Sequence, residues 1–121
     1  MAGPNSTSTF QPLGVLRAMF GIKGGRYDAT LSGALTLDPS YPSLLKLDPG
    51  GASRNVTMHT EAESDGADLF VVNAADAAEN LVMKASDGST TIATINQNEA
   101  AILTCNGTAW SLFCIIPINL S

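Results

Sequence analysis

Charge is in short supply in this sequence of 121 residues: Asp, Glu, Lys and Arg together make 14% of it, where an average soluble domain has about a quarter. So little charge implies a surface covered in part by partners. Histidine occurs once, at His59, with no nucleophile elbow around it, so Ser/His catalysis has nothing to run on and His59 reads as structural or solvent-facing. Aromatics are few, at 6%, which leaves little for an exposed sugar-stacking platform. No segment sustains a helical period. Neither Gly24-Gly25 nor Gly50-Gly51 is followed by the Lys-Ser/Thr and helix of a phosphate site, so nucleotide binding is not expected. An enzyme is therefore not the expected reading, and no cofactor or metal site is assigned.

The N-terminus has no basic n-region and too short an apolar run to span a bilayer, so neither signal peptide nor anchor is expected, and no membrane partner. The sequons at Asn5, Asn55 and Asn106 then read as chance in a chain rich in Ser and Thr. Met1 to Gln11 is polar and aperiodic, and residues 12–22 (PLGVLRAMFGI) are apolar but broken by Pro12, Gly14 and Gly21, which argues against a helix. Bases concentrate here. Residues 1–26 hold Arg17, Lys23 and Arg26 with no acid, giving +3, while the remainder carries −8, for a net charge of −5. The body would repel nucleic acid, and 1–26 reads as an extended arm suited to an acidic surface, through Leu13, Val15, Leu16, Arg17, Met19, Phe20, Lys23 and Arg26. The alternative is that Leu13 to Phe20 adds an edge strand to its own or a neighbouring sheet.

What is present is strand pattern. Behind the arm, one domain over 27–121 is expected, long enough to fold without staples. Alternation and turn residues place about eight strands at 28–37, 44–48, 54–59, 68–73, 80–85, 90–95, 99–105 and 109–116. The continuous apolar run DLFVVN (68–73) is the candidate central strand. Leu35-Thr36-Leu37-Asp38-Pro39 and Leu45-Lys46-Leu47-Asp48-Pro49 each read as a strand ending in an Asp-Pro turn, and one such repeat does not make a solenoid. From Leu81 to Ile116, breaks at Asp87-Gly88, Asn96-Gln97-Asn98 and Asn106-Gly107 read as hairpin turns of a β-meander. The fold class is all-β: an antiparallel β-sandwich or jelly roll with an extended N-terminal arm.

In the last hairpin one face collects Ala101, Leu103, Cys105, Trp110, Leu112, Cys114 and Ile116, and the other Thr104, Ser111, Ile102, Phe113 and Ile115. Both faces are apolar at the far end, so a homo-oligomer interface is expected around Phe113, Ile115 and Ile116. Cys105 and Cys114 are not opposite each other in either hairpin register and are expected as buried free thiols. Trp110 shares its face with Leu103 and Leu112 and reads as a core residue. Glu61, Glu63, Asp65 and Asp68 form the densest acid cluster, but their spacing does not fit an EF-hand, and a solvated loop is expected.

The phrases GGASRNVTMHTEAES, LFVVNAADAAENLVMKASDGSTTIATINQNEAAIL and CNGTAW resemble a stretch that recurs in small β-rich virion proteins of tailed bacteriophages, in particular head-decoration (cement) proteins. The resemblance covers Gly50 to Trp110 and leaves the arm outside it. It implies a β-sandwich or jelly roll, made in the host cytoplasm and bound as a dimer or trimer to the major capsid protein. There, on the outside of the phage head, it would reinforce joints between capsomers, with no catalytic residues. Similar wording in fibre-associated phage proteins keeps a second reading open, a receptor- or carbohydrate-binding module of a tail or fibre.

Overall fold

A computed structural model describes residues 25–118. They form nine strands, β1 (Arg26–Thr30), β2 (Leu35–Thr36), β3 (Leu44–Asp48), β4 (Arg54–Thr57), β5 (Asp68–Asn73), β6 (Leu81–Lys84), β7 (Thr91–Ile95), β8 (Glu99–Cys105) and β9 (Trp110–Pro117), with one 3-10 turn at Glu61–Glu63. The all-β class holds. The strands build a five-stranded sheet, β1-β3-β5-β8-β9, and a four-stranded one, β2-β4-β6-β7.

The expectation of antiparallel pairing throughout is corrected by the first six strands. They alternate between the sheets and stack in parallel: Arg26 lies beside Leu44 and Leu44 beside Phe70 in one sheet, Leu35 beside Val56 and Arg54 beside Leu81 in the other. Each successive pair of strands is thus one turn of a flattened coil, and there are three turns. Antiparallel pairing begins only where β6 meets β7 and β8 meets β5 and β9. Alternation cannot reveal this, because a half-buried strand shows period two whichever way its neighbour runs.

The single strand expected over 28–37 is two strands in different sheets, with a bend at Ser32-Gly33 between them. The Leu31 amide donates to Asp48 O at 2.7 Å in one sheet, and the Leu37 amide to Thr57 O at 2.9 Å in the other. Leu31, Leu35 and Leu37 all turn inward before and after the corner, so the pattern runs on unbroken. The two Leu-x-Leu-Asp-Pro phrases mark successive corners of the coil. In both, the aspartate Oδ1 accepts the backbone N–H two residues on, from Ser40 at 2.8 Å and from Gly50 at 2.9 Å, which ends the strand and turns the chain.

The meander expected from 81 to 116 is also corrected. Asn96-Gln97-Asn98 is no hairpin: the Glu99 amide donates to Asn96 O at 3.2 Å and Asn98 takes φ 62°, but the chain passes from the four-stranded to the five-stranded sheet. Asn tolerates positive φ, and that tolerance serves a corner as well as a hairpin.

Between the sheets lies one core. Leu45, Leu47, Val71 and Leu103 meet Val56, Leu81, Met83 and Ile95, all fully buried, each side chain contributing about 1.5–3 kcal/mol of transfer free energy. The one fully buried polar side chain among the described residues is Asn73 at the end of β5. Its Nδ2 donates to Glu79 O at 2.9 Å and Ile95 O at 2.8 Å, and its Oδ1 accepts from the Ala75 amide at 2.9 Å, so it ties a corner to the opposite sheet with its hydrogen bonds made.

Candidate functional site

The face of the five-stranded sheet that points away from the core is apolar along two lateral rows. Strand register sets Leu44, Phe70, Ile102 and Cys114 side by side, and beyond Lys46 it sets Val72, Ala100 and Ile116 side by side. These are the alternate positions to Leu45, Val71 and Leu103, so they share the outer face. The sequence shows the apolar run of β5 but not its lateral continuation, because the neighbours of Phe70 lie far away along the chain.

At the edge of that face β9 carries a bulge. Ile102 pairs with Cys114 and Leu103 with Leu112, which leaves Phe113 as the extra residue. A bulge inserts one residue and inverts the alternation beyond it. Past Phe113, the expected faces are therefore exchanged: Ile115 sits opposite Ala101 and packs against the core, while Cys114 and Ile116 move to the outer side. Of the three interface candidates, Phe113 is 72% exposed and Ile116 39%, and Ile115 faces inward. Both cysteines are free, Cys105 buried and Cys114 half-buried.

The arm candidates Leu13, Val15, Leu16, Arg17, Met19, Phe20 and Lys23 lie outside the described residues. Arg26 is the first residue of β1, and its Nε lies 2.8 Å from Asp28 Oδ1 on an exposed surface.

At one end of the body, where the chain crosses from the four-stranded to the five-stranded sheet, the corners enclose a cleft of about 250 Å³. Asp38 follows β2, Tyr41 precedes β3, His59 follows β4, Glu63 to Asp68 precede β5, and Trp110 starts β9. Among the described residues four carboxylates (Asp38, Glu63, Asp65 and Asp68) line it, and no Lys or Arg does. The Ser40 hydroxyl and amide hold the Asp38 carboxyl below its ordinary value, while burial pushes Asp68 up. His59 Nε2 lies 3.1 Å from Glu63 Oε1, too oblique for a hydrogen bond.

Trp110 is a core residue, as expected. It is 9% exposed, and its Nε1 donates to His59 O at 2.9 Å. An indole so placed offers no stacking platform for a sugar.

The acids of the 61–68 segment do not converge on a common point. Glu61 accepts from the Ser86 amide and hydroxyl, Glu63 approaches His59, and Asp65 packs beside Gly107. The three carboxylates that do approach one another among the described residues, within 4.8 Å, are Asp48, Asp76 and Glu79, at the opposite end of the coil. Among the described residues no helix is long and apolar enough to cross a membrane.

No family model, curated protein or solved structure matches the chain. Its function is accordingly read from its own surface.

Proposed function

We propose that this protein is a structural virion protein, a decoration or cement protein that binds the outside of a phage head, reinforces joints between capsomers and works as a homo-oligomer, dimer or trimer. The observation that carries the reading is the apolar outer face of the five-stranded sheet, ending at the exposed Phe113. A two-sheet body with such a half-buried apolar face, exposed at Phe113 and Ile116, on a chain with 14% charge, suits coverage by protein better than turnover of a small molecule. The partners in this reading are a second copy of the chain and the major capsid protein, the latter engaged by the arm residues Leu13 to Arg26. The β-sandwich or jelly roll implied by the resemblance enters only in coarse form, as two sheets over one core.

The test is direct. Undecorated heads are mixed with the purified protein, and the bound copies are counted and located by electron microscopy. Saturable binding at fixed lattice positions, with raised heat resistance of the heads, is the expected result. Absence of binding, or binding only to tails or fibres, would overturn the reading and favour the receptor-binding alternative.

A further inference from the structure

The turn between β8 and β9 holds the only Asn-Gly pair of the chain, Asn106-Gly107. Asn106 is exposed, and its Oδ1 accepts the Thr108 and Ala109 amides, both at 2.9 Å, while its own amide donates to Ala109 O at 3.2 Å. These bonds fold the side-chain carbonyl back over the chain that follows it. An amide carbonyl so placed is an electrophile beside a backbone nitrogen, because attack by the nitrogen of the next residue on Cγ closes a five-membered ring. For the attack to proceed the nitrogen must be free, its path open, and the charge developing on Oδ1 stabilised.

Three Asp-Gly or Asn-Gly pairs occur in the chain, and they differ on these demands. The Gly66 amide donates to Cys105 O and the Gly88 amide to Ala85 O, both at 2.9 Å, so both nitrogens are engaged. Each also follows an aspartate, whose ionised carboxylate resists a nucleophile. Asp87 makes the same two-amide turn as Asn106, with Ser89 and Thr90, and there the bonds hold the carboxyl ionised. The Gly107 amide, by contrast, donates to no group among the described residues. Glycine brings no side chain into the path. The Thr108 and Ala109 amides already stand at hydrogen-bond distance from the oxygen that would become negative, as the donors of an oxyanion hole do.

We propose that Asn106 is a self-modification site, at which the Gly107 nitrogen attacks Asn106 Cγ and displaces the side-chain amide nitrogen. The N–Cγ bond forms, the Cγ–Nδ2 bond breaks, and the proton lost from the Gly107 nitrogen leaves with Nδ2 as ammonia. Water then opens the cyclic imide at either carbonyl, giving aspartate or isoaspartate. In sum, water is consumed and ammonia released, with no oxidant or reductant. The product puts a new carboxylate on the turn that Asp65 packs against, and isoaspartate also lengthens the backbone where the β8–β9 hairpin closes. The inference rests on this turn and not on the capsid reading.

The full chain and a free peptide of residues 102–112 are incubated side by side in neutral buffer, and Asn106 is followed by chromatography and mass spectrometry that separate asparagine, aspartate and isoaspartate. The folded chain should convert Asn106 about tenfold faster than the peptide, as two solvent-exposed hydrogen bonds to the developing charge would give. Asn106 should also convert ahead of every other asparagine, with ammonia released in step. Gly107→Ala should slow the conversion in chain and peptide alike; should that variant misfold, the wild-type ratio of folded chain to peptide remains the test. Conversion in the folded chain at or below the peptide rate, or another asparagine converting first, would overturn the proposal.

Discussion

A Cβ on Gly50 would lie 2.2 Å from the carbonyl oxygen of Leu31, so the corner after β3 rests directly on the corner after β1. Gly50 also takes φ +77°, and both features demand glycine.

Gly88 separates the two demands, since it has φ +76° with nothing within 4 Å of its would-be Cβ. Gly88→Ala should cost about 1 kcal/mol, the left-handed strain alone. Gly50→Ala carries the same strain plus a clash with backbone that cannot yield, and should cost at least about 2 kcal/mol more. Urea melts of both variants compare them; equal losses would mean that the coil turns are not seated on one another as described.

Asn73→Leu should destabilise the protein by about 3 kcal/mol or more. It strands the Glu79 and Ile95 carbonyls and the Ala75 amide, and each buried group left without a partner costs about 1–3 kcal/mol. A loss under about 1 kcal/mol in urea melts would show that water satisfies these groups.

The bulge in β9 sets two neighbouring substitutions apart. Phe113→Lys, at an exposed position, should leave the thermal midpoint nearly unchanged and weaken self-association measured by sedimentation. Ile115→Lys puts a charge against the core and should lower the midpoint sharply whatever the oligomeric state. The reverse order of effects would mean that the alternation runs through Phe113 unbroken.

Acid should weaken the fold between about pH 4 and pH 2. Asp87 accepts from the Thr90 and Ser89 amides and the Thr90 hydroxyl, which holds its carboxyl down at about 2. A depressed carboxylate contributes fully above its ordinary value, and that contribution disappears as pH falls through the folded one. Glu61, held down by the Ser86 hydroxyl, acts in the same direction, whereas Asp68, raised by burial, favours the fold when protonated. Asp87→Asn should therefore flatten the fall of the thermal midpoint below pH 4, and Asp68→Asn should raise the midpoint at pH 7. An unaltered pH profile in the first variant would mean that the turn is not closed by the carboxylate.

Strand positions were legible because side-chain alternation is local: 44–48, 68–73 and 99–105 coincide with β3, β5 and β8. Sheet membership was not. Leu31, Leu35 and Leu37 point inward on both sides of a corner, and Asn98 adopts positive φ in a crossover as it would in a hairpin. Phe113 could not be seen as a bulge, since Leu112, Phe113 and Cys114 read equally well as an unbroken strand. Phe113 and Ile116 were within reach as surface candidates, but the lateral rows through Leu44, Phe70 and Ile102 exist only once register is known. The cleft is assembled from five chain segments, and no spacing in the sequence announces it.

The order of pairing along the chain bears on how the molecule is made. The β8–β9 and β6–β7 hairpins close over short loops, whereas the parallel turns join residues as far apart as Arg54 and Leu81 and bear a larger loop-closure entropy. Local hairpins form in microseconds, and pairings distant in sequence wait on them. A ribosome, however, delivers β1 to β5 before either hairpin exists. The nascent chain would thus emerge with Leu45, Leu47 and Val71 exposed and no formed sheet to receive them, and structure would grow backwards from the last strands synthesised towards the first.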